Sequence, residues 1–231
     1  MKFSKKLLTG SVAAAVMAVG AYAPVASADV SASAGVASSY LWRGIDLGQG
    51  TPAVSGDIQY TTGGFYTGVW VSSGDTSGGT EYDLFAGFGG ELGSVTYDVS
   101  IWNYLYPTGT NEDGTSSQED TIADLTELIT TVGVGPVSFS WYENIANNGG
   151  DETYRYFTLG YSAGKFGATL GKHTGNTDVL DGPTTTESMH LDLSYAYNDN
   201  LSFTVSQNID DDDDAVDDDI NVVVSYSLPI K

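Results

Sequence analysis

The sequence predicts an all-β protein, a transmembrane antiparallel up-and-down β-barrel of about twelve strands with short periplasmic turns and long extracellular loops. Three observations lead to this prediction. Apolar and polar residues alternate along most of the chain, short and long connections alternate between strands, and the N-terminus has the pattern of an export signal. No apolar run after residue 28 approaches the roughly 20 residues that a transmembrane helix requires, so this chain would cross a membrane as a barrel.

The N-terminal segment has the pattern of a secretory signal peptide. Three lysines precede an apolar run from Leu7 to about Ala23, and residues 26–28 read Ala-Ser-Ala. We expect cleavage after Ala28, which leaves residues 29–231 as one outer-membrane barrel domain. A membrane-anchoring helix is the alternative, but glycines and a proline interrupt a stretch already short for a core of about 30 Å.

Charge and cysteine content restrict the function. All 30 acidic residues follow residue 28, whereas three of the eight lysines and arginines precede it. So acidic a chain repels nucleic acid and attracts cations. Because the sequence has no cysteine, disulfides and cysteine-based metal or catalytic sites are excluded.

The alternation of apolar and polar residues has a period of two, as in β-strands with one apolar face. In residues 95–101, for example, Val95, Tyr97, Val99 and Ile101 alternate with polar residues. This pattern predicts strands at 30–43, 53–61, 64–72, 81–90, 94–105, 121–133, 136–145, 153–162, 166–173, 187–198, 200–208 and 219–229.

The lengths of the connections alternate between short and long along the chain. Connections after even strands are short, at 62–63, 90–93, 134–135, 163–165 and 199, whereas those after odd strands are mostly long and polar, at 44–52, 73–80, 106–120, 146–152, 174–186 and 209–218. Outer-membrane barrels have this asymmetry between their two rims. A soluble β-sandwich is the alternative, but it has no reason to sort its loops in this way.

Aromatic residues cluster near the strand ends and predict two girdles at membrane interfaces. One girdle would lie near the long loops and comprise Tyr40, Trp42, Trp70, Trp102, Tyr104, Tyr106, Trp141 and Tyr142. The other would lie near the short turns and comprise Tyr60, Phe65, Phe88, Phe166 and Tyr197.

Four segments resemble a known family. They are Ser-Tyr-Leu-Trp-Arg-Gly at 39–44, Thr-Pro-Ala-Val-Ser-Gly-Asp at 51–57, Gly-Phe-Tyr-Thr-Gly-Val-Trp-Val-Ser at 64–72 and Glu-Tyr-Asp-Leu-Phe-Ala-Gly-Phe at 81–88. Together they resemble the TorF-family putative porins, small proteobacterial outer-membrane proteins. The resemblance implies an exported barrel with a role in diffusion of small solutes, and it implies no catalytic residues. The chain departs from the usual aromatic C-terminus of such barrels, because it ends Ser-Leu-Pro-Ile-Lys after Tyr226.

If the apolar faces meet lipid, the opposite faces line the lumen. The candidate lumen residues are Arg43, Asp57, Gln59, Glu81, Asp83, Asp98, His190 and Asp192. A lumen lined by carboxylates and small residues would be wet and prefer cations. The alternative is that the inward charges pair with Arg43, Arg155 or Lys172 and fill the interior. A barrel of twelve strands is intermediate in width, so the strand number does not decide between an open and a filled lumen.

Arg43 follows Trp42 at the predicted top of strand one, beside a loop with Asp46. It would either be half of a constriction that filters solutes by charge or form an ion pair or ring stack that fixes the loop. The second interpretation is favoured because such contacts are common for arginine.

The last long loop is rich in aspartate and offers only weak metal candidates, namely Asp210, Asp211, Asp212, Asp213, Asp214, Asp217, Asp218 and Asp219. Ca²⁺ and Mg²⁺ take carboxylate oxygens, but the loop lacks the spaced ligands and turn glycine of an EF-hand. The acidic segment 176–182 does not match the EF-hand pattern either. We therefore expect a solvated loop with loose ion binding at most, and no cofactor.

Catalytic motifs are missing from the sequence. His173 and His190 are its only histidines, and no nucleophile elbow, phosphate-binding loop or metal-ligand spacing accompanies them. We expect a non-enzymatic porin-like channel whose partners are outer-membrane lipid and small polar solutes or cations. A non-conducting surface barrel with acidic binding loops and a soluble binding sandwich are the alternatives, and the oligomeric state is open.

Overall fold

The structure is a computed structural model that describes residues 25–76, 78–109, 125–147, 154–175, 187–211 and 216–230. Its strands are β1 Val25–Ala37, β2 Leu41–Trp42, β3 Ile45–Asp46, β4 Ala53–Gly63, β5 Phe65–Asp75, β6 Gly79–Leu92, β7 Val95–Leu105, β8 Leu125–Val134, β9 Val137–Asn147, β10 Arg155–Ala163, β11 Phe166–Thr174, β12 Glu187–Ala196, β13 Leu201–Asp211 and β14 Asn221–Ile230. Most of the predicted signal peptide, up to residue 24, lies outside the described residues.

All strands except β2 and β3 form one closed antiparallel barrel of twelve strands in sequential order. The barrel closes where β1 pairs with β14, with Ala32 opposite Ile230 and Val36 opposite Tyr226. The predicted fold class, an all-β up-and-down barrel, is therefore confirmed, and a two-sheet sandwich is excluded. Within the described ranges, no helix is long and apolar enough to cross a membrane.

Tight turns join the strands at one end of the barrel, which we call the short-turn rim. Glycines with positive φ occupy four of these turns, at Gly63 (61°), Gly93 (65°), Gly135 (59°) and Gly164 (63°). Residues with a Cβ rarely adopt this conformation, so glycine there fixes where each hairpin reverses. We call the opposite end the long-loop rim.

The two faces of the barrel wall differ in chemistry. Large apolar side chains point outward and are exposed, as Leu84, Ile101, Leu159 and Leu193 show, whereas alternate residues point into the barrel. All five aromatic residues of the predicted short-turn girdle are exposed on this outer face.

The predicted girdle near the long loops is largely wrong. Tyr40, Trp102, Tyr104 and Tyr142 are buried, and Trp70 and Tyr106 pack against the buried cluster that includes the last three. Trp141, by contrast, is 45% exposed on the outer face. Most of these rings fill the interior because they occupy the alternate strand positions whose side chains point into the barrel.

The predicted first strand, 30–43, is wrong at its C-terminal end. β1 ends at Ala37, and it begins at Val25, ahead of the predicted cleavage point. The residues that follow β1 turn into the barrel, where β2 and β3 form a separate two-stranded hairpin. This segment carries Arg43.

Candidate functional site

The hairpin Leu41–Asp46, which we call the inserted hairpin, occupies the barrel interior near the long-loop rim. Trp42 pairs with Ile45 across a two-residue turn, Arg43–Gly44, in which both residues have positive φ (48° and 84°). Such turns match the twist of a hairpin, but an arginine in this conformation is uncommon and is retained where its surroundings require it. Leu41 anchors the base of the hairpin in a small apolar cluster with Ala37 and Val223.

Arg43 forms a buried, two-pronged ion pair with Glu127 of β8. Its Nη1 donates to Glu127 Oε1 at 2.9 Å, and its Nη2 donates to Glu127 Oε2 at 2.6 Å. Tyr154 Oη accepts a further bond from Nη1 at 2.9 Å, and Tyr104 Oη donates to Glu127 Oε2 at 2.8 Å. Burial alone would lower the pKa of Arg43, but the Glu127 carboxylate raises it well above its ordinary value, so the guanidinium stays charged.

Aromatic rings surround the same guanidinium. The Arg43 Cζ atom lies 4.4 Å from the ring centre of Trp42, 4.6 Å from that of Tyr142, 4.8 Å from that of Tyr156 and 5.6 Å from that of Tyr154. Negative ring faces attract a cation at these distances, most strongly where water is excluded. Together with Glu127 and Tyr104, the three tyrosines form what we call the guanidinium cage.

Hydrogen bonds also hold the backbone at the tip of the inserted hairpin. His173 Nε2 donates to the Arg43 carbonyl oxygen at 2.8 Å, which places a hydrogen on Nε2 because a carbonyl only accepts. Asn208 Nδ2 lies 3.3 Å from the Gly44 carbonyl oxygen. A Cβ atom at Gly44 would overlap the buried His190 ring, so only glycine fits at this position.

His190 is the centre of a second polar chain. Its Nε2 lies 2.8 Å from Tyr156 Oη, and its Nδ1 lies 2.9 Å from Asp192 Oδ1, which also accepts from Ser206 Oγ at 2.6 Å. The Tyr156 ring stacks on His190 at 5.9 Å with an interplanar angle of 4°. Two of the predicted lumen residues, His190 and Asp192, therefore bind each other and brace one wall of the cage through Tyr156.

Two more predicted lumen residues, Glu81 and Asp83, are buried side by side on the inner face of β6. Glu81 accepts hydrogen bonds from Tyr40 Oη and, at 2.8 Å, from Tyr106 Oη. Burial and the neighbouring Glu81 raise the pKa of Tyr40 well above its ordinary value, so its hydroxyl keeps the proton that it donates. Asp83 Oδ1 is buried and has no hydrogen-bond partner among the described residues.

The remaining candidates lie closer to the short-turn rim. Asp57 accepts a hydrogen bond from Ser33, Gln59 donates to Thr61 at 3.0 Å, and Tyr66 Oη donates to both oxygens of Asp98 at 2.8 and 2.9 Å. Asp57, Gln59 and Asp98 are partly exposed, whereas Tyr66 is buried, as are most of the bulky side chains around the inserted hairpin. Among the described residues, the interior is therefore filled around the inserted hairpin, and some inward polar groups in the other half are partly exposed.

The sequence left open whether inward charges pair with Arg43, Arg155 or Lys172, and of these three only Arg43 pairs inside the barrel. Arg43 pairs with Glu127 rather than with Asp46, whose carboxylate instead binds Ser39 and the Gly48 and Gly50 amides of its own loop. Arg155 pairs with Glu143, and Lys172 pairs with Glu187. Both pairs are partly exposed and lie on the outer face, because their neighbours along each strand point inward.

None of the five cage residues was predicted as a lumen residue, and two of them, Tyr104 and Tyr142, were assigned to the outer girdle. The other three are Glu127, Tyr154 and Tyr156. One available signal was parity, because Tyr104 lies an even number of residues from Asp98 on the same strand. Glu127 gave no such signal. Leu125 and Ile129 share its face, so neither face of β8 reads as polar.

The acidic loop shows one local cluster. The carboxylates of Asp217, Asp218 and Asp219 are exposed and have oxygens within 4.8 Å of one another. Asp210 and Asp211 end β13, and Asp212, Asp213 and Asp214 lie outside the described residues. We assign no metal site to the cluster, since exposed acidic groups commonly gather without an ion.

Fold and site together define a class, a closed twelve-stranded β-barrel with an apolar outer face and a polar interior that its own hairpin partly fills. The chain belongs to a bacterial family described as "Bacterial protein of unknown function (Gcw_chp)", whose model matches residues 21–222. No curated protein matches the chain.

Proposed function

We propose that this protein is an outer-membrane channel for passive diffusion of small polar solutes and that it prefers cations. The observation that carries the proposal is the division between faces of the closed sheet. Apolar side chains such as Leu159 and Leu193 are about half exposed on the outside, whereas polar and charged groups point inward. Lipid outside and water inside would satisfy both faces.

The expected orientation follows from the rims and the export signal. The short turns would face the periplasm and the long loops the cell exterior, as in other outer-membrane barrels. The predicted signal peptide and the resemblance of four N-terminal segments to TorF-family putative porins support export and insertion. No catalytic role and no cofactor are part of this proposal.

Interior charge supports the preference for cations. Asp57, Glu81, Asp83, Asp98, Glu127 and Asp192 point inward, whereas Arg43 is the only lysine or arginine that does so among the described residues. Asp57 and Asp98 are partly exposed on this inner face. Negative charge in a narrow, low-dielectric passage concentrates cations and excludes anions.

A non-conducting surface barrel with acidic binding loops is the second candidate. The observation that favours it is the inserted hairpin, which fills the interior near the long-loop rim. In the channel proposal this hairpin narrows the passage, and solutes pass when it moves aside.

Single-channel recording from the purified protein in planar bilayers tests the proposal. We expect discrete current steps and, in a salt gradient, a reversal potential of the sign that cation preference gives. Stable insertion, checked by extraction with the membrane fraction and a heat-dependent gel shift, together with an absence of current would overturn the channel and leave the surface barrel. Recovery in a soluble fraction would overturn both.

A further inference from the structure

The guanidinium cage belongs to the barrel and not to the hairpin that occupies it. Tyr104, Glu127, Tyr142 and Tyr156 lie on β7, β8, β9 and β10, and Tyr154 directly precedes β10. Only Trp42 and Arg43 come from the inserted hairpin. A movement of the hairpin would therefore remove one ring and the cation but leave the other groups in place.

The chemistry of the cage matches a planar organic cation. Glu127 offers both carboxylate oxygens to two parallel N–H donors, at 2.9 and 2.6 Å, and Tyr154 Oη accepts a third bond. Tyr142 and Tyr156 add ring faces within 5 Å of the central carbon. A guanidinium matches such an arrangement of parallel bonds and stacked rings better than a compact ammonium or a hydrated metal ion does.

An empty cage would be unfavourable. Without Arg43, the buried Glu127 carboxylate would keep only the Tyr104 hydroxyl as a hydrogen-bond donor among the described residues, and an uncompensated buried charge is strongly destabilising. A solute that carries its own guanidinium restores the pair, so exchange of one cation for the other conserves charge and hydrogen bonds.

We propose that the cage is a binding site for guanidinium-bearing organic cations and that Arg43 occupies it as an internal ligand. The proposal deepens the channel function by naming a solute class, and it rests on that function for the route by which a solute arrives. Entry of the solute and withdrawal of Arg43 would be competing events at one site.

Binding of methylguanidinium to an Arg43→Gly variant in detergent tests the site without any current. Glycine accepts the φ of 48° at this position and removes the internal ligand. We expect a saturable rise in the unfolding temperature with a dissociation constant of about 1 mM or tighter, against sodium chloride at equal ionic strength. The wild-type protein should respond at least tenfold more weakly, because Arg43 competes.

The Arg43→Gly/Glu127→Gln double variant is the matched control and should lose the response. An Arg43→Lys variant provides a second test, because lysine keeps a cation beside Glu127 but lacks the planar fork, and methylguanidinium should displace it more readily than arginine. If folded Arg43→Gly shows no saturable response, or if the response survives in the double variant, the proposal is overturned. If Arg43→Gly does not fold, the absence of a response in Arg43→Lys overturns it.

The two proposals fail separately. Binding without current in any variant would remove the channel and keep the site, whereas current without methylguanidinium binding would keep the channel and remove the site.

Discussion

Arg43 and Glu127 are 84 residues apart in the sequence, and their side chains meet inside the barrel through two hydrogen bonds of 2.9 and 2.6 Å. Arg43 reaches this position from the tip of a hairpin, whereas Glu127 projects from the barrel wall. Their side chains are 5% and 3% exposed, so neither charge is screened by water. This pair therefore fixes the inserted hairpin to the barrel wall.

Removal of one partner should be far more damaging than removal of both. We expect Arg43→Met to lower the free energy of unfolding by about 3–5 kcal/mol, because Glu127 is left buried and unpaired. The Arg43→Met/Glu127→Leu double variant should recover most of that loss. Urea unfolding followed by tryptophan fluorescence measures both values.

Arg155→Met is the control for this comparison. It breaks the partly exposed pair with Glu143, which water screens, and should therefore cost far less stability than Arg43→Met. A similar cost for Arg43→Met and Arg155→Met would contradict the buried geometry.

Alanine at Gly44 should dislodge the inserted hairpin. Gly44 has a φ of 84°, and a Cβ there overlaps the buried His190 ring, whereas Gly50 has a φ of 75° and nothing within 4 Å of an added Cβ. Backbone strain is thus similar at the two positions, and we expect Gly44→Ala to cost about 1–3 kcal/mol more than Gly50→Ala in urea unfolding. Equal costs would show that His190 does not hold the tip.

Asp98 should contribute to ion selectivity. It is partly exposed on the inner face and accepts a hydrogen bond from Tyr66 Oη, and its charge would act within a low-dielectric wall. Asp98→Asn should move the reversal potential in a salt gradient toward zero. Glu143→Gln, which removes a charge from the outer face, is the control and should leave the potential unchanged. A shift of equal size in both variants would argue against a charged lumen.

An arginine in the middle of the outer face should hinder insertion. Leu159 lies at the centre of β10 and is 52% exposed, whereas Leu92 lies beside a short turn and is 72% exposed. In lipid bilayers, Leu159→Arg should destabilise the barrel by about 2–4 kcal/mol and Leu92→Arg by about 0–1 kcal/mol, because a charge is costly at the bilayer midplane and tolerated near the interface. If the two positions cost the same, the outer face does not contact lipid as proposed.

The barrel itself could be predicted because its signals are local. In β7, Val99 and Ile101 alternate with Asp98 and Ser100, and the structure places the first pair outside and the second inside. Glycine-containing turns mark the reversals at the short-turn rim. Alternation and turn chemistry act over a few residues, so they can be read from one sequence.

The candidate site could not be predicted because its contacts are long-range. Tyr40, Leu41, Trp42 and Arg43 continue a strand-like run, and no local feature shows that the chain leaves the sheet after Ala37. Which carboxylate meets Arg43 depends on barrel closure and register, and Glu127 belongs to a strand without contrast between its faces. The sequence therefore predicted inward charges but not their pairing.

The position of the inserted hairpin has a consequence for the order of assembly. The groups that receive its tip come from β7 to β13, and they surround a common space only after β1 and β14 have joined. Loop closure over such separations is slow, so we expect the hairpin to dock after the wall has formed. In that order of assembly, Glu127 would be buried in a complete wall before Arg43 arrives to pair with it.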